Sequence, residues 1–164
     1  MKLRLLVILV AIALGGVPPV SAHHGWGYYD TARPIYLSGR IASVSWRNPH
    51  PEITLRNETA ALPSNWSSLP VPAELAALGF EQTLGRTSPA EAGVEWTLDL
   101  APINRLEAWG MPREPQPGDV ITAIAFPACE EEGVARPALI VLDGVGVRQQ
   151  SVALPAGCSG QPRG

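Results

Sequence analysis

The chain has 164 residues, of which 12 are Lys or Arg and 15 are Asp or Glu, giving a formal net charge of −3. The arginines are scattered and form no basic run, which excludes nucleic acid as an expected partner because such proteins usually present a basic face. The lone lysine, Lys2, lies in the leader described next, so Schiff-base chemistry on a lysine is excluded from the chain that follows the leader.

The first 22 residues have the features of a secretory signal peptide. Two basic residues precede an unbroken apolar run at 5–14, and Val20 and Ala22 fit the small-residue pattern before a cleavage site. Ten apolar residues are too few to cross a bilayer, which needs about 20. We therefore expect cleavage after Ala22, a periplasmic or secreted protein that begins at His23, and no transmembrane segment in it.

Three segments in the first hundred residues are predicted strands. Residues 35–46 (IYLSGRIASVSW) alternate apolar and polar side chains, with Gly39 as a bulge or bend. Residues 52–57 and 94–100 alternate in the same way. The prolines within 48–51 mark the turn of a hairpin between the first two strands.

The connection from 58 to 93 is rich in Ala, Pro and Ser and is long for a small domain. Such a connection is either a functional flap or an insertion, and we interpret it as a variable insert. Residues 72–78 within it are predicted to form a short helix, with Pro72 early and Gly79 at the end.

The second half of the chain predicts a short helix followed by strands. Residues 102–109 (PINRLEAW) read as a two-turn helix, and strands are predicted at 120–126, 138–142 and 145–147. This element order predicts a mainly β protein: a small OB-like antiparallel barrel of five to six strands with one short helix. The barrel domain would span residues 23–150 and precede a tail at 151–164.

Both cysteines, Cys129 and Cys158, lie in the last quarter of the chain. An even number of cysteines in an exported protein is most simply explained by a disulfide, which would tie the tail to the barrel. A metal role is the weaker reading, because neither CxxC spacing nor a nearby histidine accompanies them.

The three histidines of the chain form the candidate metal site. Cleavage after Ala22 would leave His23 with both a free α-amine and a ring nitrogen, which together can chelate one metal ion. A third nitrogen from His50, or less favourably His24, would complete a T-shaped set that suits copper first and zinc second. The segment from His23 to the first strand and that strand could each span roughly 40 Å when extended. His23 can therefore reach the turn that holds His50 if the N-terminal arm folds back along this strand.

Other residues near these histidines are candidates for an outer shell or a ligand-binding face. They are Trp26, Tyr28, Tyr29, Asp30, Asn48 and Glu52. The alternatives stay open. His24 also fits a solvated position near the terminus, and His50 also fits a residue that caps or hydrogen-bonds its own turn. The aromatic side chains also fit docking of the arm onto the barrel, and the acidic side chains also fit solvated positions.

Several motifs resemble one family of bacterial exported proteins, the domain of unknown function 6152 family. They are the Ala-His-His opening after the leader, LSGRIASVSWRNPH at 37–50, VEWTLDLAPINRLEAWGM at 94–111, PQPGDVITAIAFP at 115–127 and VLDGVGV at 141–147. The resemblance leaves out residues 58–93 and the cysteine pair. It implies a small periplasmic β-barrel and brings no established activity.

Two functions of different classes follow. The first is a periplasmic protein that binds copper for storage, delivery or tolerance and works with a periplasmic or membrane metal-handling protein. The second is a metal-free module that holds a protein, peptide or saccharide on its barrel face or insert. An enzyme is not expected, because no nucleophile elbow or phosphate-binding glycine loop is present, although an oxidative copper enzyme remains an alternative.

Overall fold

A computed structural model describes residues 25–155 and 157–158. In this part of the chain the strands are β1 (Ile35–Ser45), β2 (Glu52–Asn57), β3 (Ser88–Pro89), β4 (Glu95–Asp99), β5 (Val120–Pro127), β6 (Val134–Leu142) and β7 (Val145–Arg148). The helices are α1 (Ala73–Ala76), α2 (Phe80–Arg86) and α3 (Ile103–Ala108), with 3₁₀ turns at Trp26–Tyr28 and Trp66–Ser68. Within the same residues, no helix is long and apolar enough to cross a membrane.

Five strands close a barrel in the order β1–β2–β4–β6–β5 and back to β1. Neighbouring barrel strands are antiparallel except β4 and β6, which are parallel. Along the chain, helix α3 connects the barrel strand β4 to the next barrel strand, β5. This is the OB-type arrangement that the element order predicted, with two additional strands, since β3 pairs with the start of β1 and β7 pairs with β6.

The barrel interior holds the larger hydrophobic core. Side chains that alternate along the strands face inward, including the fully buried Ile53 and Leu55 of β2 and Leu98 of β4. Of the bulge or bend predicted at Gly39, the bulge is wrong in position, because the irregular register lies between Ile41 and Ser43. Gly39 is needed for another reason: a side chain there would overlap the backbone of β2.

A second hydrophobic core lies on the outer face of the barrel. Tyr36 of β1 and Ile124 of β5 are register partners on this face, and α1 and α2 cover it with the buried side chains of Leu75 and Phe80. The segment 58–93 therefore packs on the barrel. It contains α2 and β3, which the sequence did not predict, in addition to the predicted short helix, which is observed at Ala73–Ala76.

The predicted disulfide between Cys129 and Cys158 is confirmed, with 5.7 Å between the two Cα atoms. Cys129 lies in the loop between β5 and β6, so the bridge ties the segment after β7 to one end of the barrel. Leu154 of that segment packs against the second core. Residues 149–155 are thereby held against the barrel surface.

Candidate functional site

His50 lies in the turn between β1 and β2, and both sides of this turn are fixed. Asn48 precedes a cis peptide bond to Pro49, and its Oδ1 accepts a 3.0 Å hydrogen bond from the backbone N–H of Ile103 at the start of α3. On the other side, the carbonyl of Pro51 accepts a 2.9 Å hydrogen bond from Leu100. The His50 side chain, 28% exposed, is thus displayed on a tethered turn.

Asp99, the last residue of β4, joins His50 to two other side chains. Its Oδ1 lies 3.3 Å from Nδ1 of His50, and its Oδ2 accepts a 2.8 Å hydrogen bond from the hydroxyl of Tyr29. The guanidinium of Arg136 on β6 lies 3.6 Å from the same Oδ2. Oδ1 is buried and accepts no well-directed hydrogen bond from the described residues. His50 Nδ1 therefore lies within ion-pair distance of this oxygen without forming a hydrogen bond to it.

The N-terminal arm, residues 25–30, docks next to Asp99. The hydroxyl-bearing Tyr29 is only 2% exposed and forms an isolated β-bridge with Ala128, just beyond β5. The backbone N–H of Cys129 donates to the carbonyl of Tyr28, at 2.9 Å. The arm therefore extends the sheet at the end of β5; the fold-back along the first strand that we considered from the sequence is not how it docks.

Aromatic and cationic groups complete the docking. The ring of Trp26 meets the rings of Tyr29 and Phe126 edge-on, with centroids 6.4 and 6.1 Å apart. The guanidinium carbon of Arg136 lies 5.1 Å from the Trp26 ring centroid and 5.6 Å from that of Tyr29, within cation–π range. Arg136 thus contacts both the arm and Asp99.

Burial and neighbouring charge keep the tyrosines of the arm protonated. Burial raises the pKa of Tyr29 above its ordinary value, and the negative charge of Asp99 and the hydrogen bond to it raise it further. Burial also raises the pKa of Tyr28, whose hydroxyl donates a 3.0 Å hydrogen bond to Glu131. Both hydroxyls therefore act as hydrogen-bond donors at neutral pH.

The other residues selected from the sequence have different positions. His23 and His24 lie outside the described residues. Asp30 contacts the side chain of Arg33 and the N–H of Ala32, which makes it part of a local turn. Glu52 is exposed and is the register partner of Asp99 in the β2–β4 ladder.

Sequence reasoning missed Asp99 and Arg136 as site residues. Asp99 carries a weak signal in the sequence, because it is the outward-facing position at the end of an alternating strand. Arg136 carries none, since its role depends on Trp26 lying over it. Among residues 25–155 and 157–158, no group of three or more His, Cys, Asp or Glu side chains is arranged to hold a metal ion.

The geometry defines a small OB-type barrel whose N-terminal arm docks at the end of β5 and contacts Asp99, the carboxylate that lies next to His50. Residues 11–83 match the model of a family described as "Family of unknown function (DUF6152)", which confirms the resemblance over this part of the chain. The matched range includes the arm, the turn with His50 and residues 58–83, which the resemblance had left out. No curated protein and no solved structure matches the chain significantly.

Proposed function

We propose that the chain, once cleaved after Ala22, binds one copper ion at its N-terminus. The α-amine and ring Nδ1 of His23 would supply two nitrogen ligands, and the ring of His50 would supply the third. Two of the three nitrogens thus come from a residue that precedes the described part of the chain. The binding role would be storage, delivery or tolerance of the metal, in company with a periplasmic or membrane metal-handling protein.

The observation that carries this proposal is the contact between His50 and Asp99. A histidine that binds a metal almost always has its other ring nitrogen next to a carboxylate, a carbonyl or water, which fixes the ring orientation and raises its basicity. Asp99 holds this position at Nδ1 of His50. Nε2 is then the ring nitrogen that would face the metal.

The docked arm also supports the proposal. Trp26 lies over Arg136, and Arg136 contacts the carboxylate that contacts His50. Gly25 lies two positions after His23, the residue that would carry the α-amine. An extended chain covers about 3.5 Å per residue, so roughly 7 Å of backbone is available between the docked arm and the proposed ligand.

The ligand chemistry favours copper over other divalent ions. Three nitrogens in a T-shaped arrangement suit Cu²⁺, which stands at the top of the divalent affinity order for nitrogen ligands, and zinc comes second. The binding would weaken on acidification, because the α-amine and imidazole nitrogens must lose their protons to coordinate the ion.

The test is a competition titration with Cu²⁺ on four chains. The chain that begins at His23 is compared with the same chain acetylated at its α-amine, with His50→Ala and with His24→Ala. We expect acetylation and His50→Ala each to weaken copper binding at least about tenfold, whereas His24→Ala binds as the unmodified chain does. Equal affinity in all four chains would refute the proposal, and loss in the acetylated chain and in His24→Ala, but not in His50→Ala, would assign the third nitrogen to His24.

A further inference from the structure

A cavity of about 370 Å³ lies apart from the residues that contact Asp99. Its walls come from three parts of the chain: the turn at Thr31 and Ala32, the corner between α1 and α2, and the segment that follows β7. The disulfide at Cys158 ties this last wall to the barrel directly after Gly157. Its volume is within the range of small-molecule sites, about 300–1,000 Å³.

One side of the cavity is apolar. Leu78 and Phe80 contribute from the corner between the helices, and Leu154 contributes from the segment after β7. Phe80 is fully buried in the second hydrophobic core, so this wall is rigidly supported. A ligand in the cavity would therefore place an apolar part against this side.

Gln150 provides a hydrogen-bond acceptor in the cavity lining. The residue is only 5% exposed, and its Nε2 donates a 3.3 Å hydrogen bond to the carbonyl of Val152. Its Oε1 is buried and receives no hydrogen bond from the residues that the structure describes. A buried acceptor without a donor is costly, so a ligand hydroxyl or N–H that reached this oxygen would gain a full hydrogen bond.

Arg86 provides the positive charge. It is the charged side chain among the lining residues, and its Nε donates a 3.2 Å hydrogen bond to the carbonyl of Gln82, which holds the guanidinium at the end of α2. No described carboxylate lies within ion-pair distance of Arg86, in contrast to Arg113, which pairs with Asp119 and Asp143. A carboxylate is the ligand group that a guanidinium binds best through paired hydrogen bonds.

We infer that this cavity binds a small hydrophobic carboxylate that also carries a hydroxyl or amine. The carboxylate pairs with Arg86, the hydroxyl or amine donates to Oε1 of Gln150, and the apolar body packs against Leu78 and Leu154. This inference does not depend on copper. Its test can therefore be carried out on metal-free protein.

The test is a titration of the ¹⁵N-labelled, chelator-treated chain, followed by the shifts of its backbone amide signals. Three probes differ in one group each: 3-phenyllactate carries the carboxylate and the hydroxyl, 3-phenylpropionate lacks the hydroxyl, and 3-phenylpropane-1,2-diol lacks the carboxylate. We expect saturable shifts around Thr83 and Gln150 with 3-phenyllactate. Both other probes should bind at least about tenfold more weakly.

Variants assign the two polar contacts. Arg86→Gln should weaken 3-phenyllactate about tenfold or more and leave the diol unchanged, whereas Arg105→Gln, an exposed arginine that does not line the cavity, should change neither. Gln150→Met should abolish the difference between 3-phenyllactate and 3-phenylpropionate. If Gln150→Met does not fold, the comparison of these two probes on the unmodified chain still tests the contact. Shifts that do not saturate, equal affinity for the three probes, or full binding by Arg86→Gln would overturn the inference.

Discussion

The hydroxyl of Tyr29 lies 2.8 Å from Oδ2 of Asp99, and the two residues are 70 positions apart in the chain. This hydrogen bond joins the N-terminal arm to the end of β4. The other oxygen of the same carboxylate lies next to His50. One carboxylate therefore contacts both the N-terminal arm and the histidine that we propose as a copper ligand.

Asp99→Asn should weaken copper binding by about 10- to 100-fold, because the ring of His50 loses the carboxylate that lies next to its Nδ1. A Cu²⁺ competition titration measures the effect. Glu95→Gln, at the exposed first position of the same strand, is the matched control and should bind copper as the unmodified chain does. Identical affinities for both variants would show that Asp99 has no part in metal binding.

Tyr29→Phe should lower the free energy of unfolding by about 2 kcal/mol, since it removes a hydrogen bond to a carboxylate while the ring packing is kept. Urea unfolding monitored by tryptophan fluorescence gives this number. Tyr28→Phe is the control, because its hydroxyl bonds to Glu131 in an exposed position, and it should cost no more than about 0.5 kcal/mol. Equal losses in the two variants would contradict the docking role of Tyr29.

The raised pKa of Tyr29 predicts a loss of stability at alkaline pH. The unfolded chain releases the phenolic proton near pH 10, the ordinary value, while the folded chain retains it, so stability present below this pH is lost as the pH rises. The loss from this one group approaches about 1.4 kcal/mol per pH unit. Urea unfolding from about pH 8 to about pH 11 should therefore show the advantage of the unmodified chain over Tyr29→Phe shrinking above pH 10. A constant difference across this range would contradict the prediction.

Phe80→Ala should destabilise the protein by about 3–5 kcal/mol, the usual cost of removing a buried aromatic side chain. Phe80 belongs to the core between the barrel and segment 58–93. Gln82→Ala, at an exposed position of the same helix, should be nearly neutral. A small effect of Phe80→Ala in urea unfolding would mean that this segment is an expendable insertion, as the sequence suggested.

Local sequence patterns predicted the barrel because β1, β2 and β4 alternate between apolar and polar side chains, whereas β5 and β6 contain continuous apolar runs. β2 was predicted with its observed bounds, and the order of strands and helix gave the OB-type arrangement. β6 begins at Val134, whereas the predicted strand began at residue 138. The prediction began late because Arg136 and Pro137 interrupt the apolar pattern. Arg136 is accommodated there by its contacts with Asp99 and Trp26.

The segment 58–93 and the surroundings of His50 were not predictable from local patterns. α2 buries Phe80 and Thr83 in a stretch with little hydrophobic periodicity, so only the tertiary contact with the outer face reveals it. The neighbour of His50 is fixed by the register of β2 with β4, which brings Asp99 to the end of the ladder next to the turn. The histidine could be selected from the sequence, whereas its carboxylate partner could not.

The most direct measurement for the copper proposal is the electron paramagnetic resonance spectrum of the chain that begins at His23, loaded with one equivalent of Cu²⁺. We predict resolved nitrogen couplings from three nitrogen ligands, and the loss of one set in His50→Ala. The chain acetylated at its α-amine should lose the chelate formed by the amine and ring of His23. A spectrum of aqueous copper, or one unchanged by both alterations, would contradict the proposal.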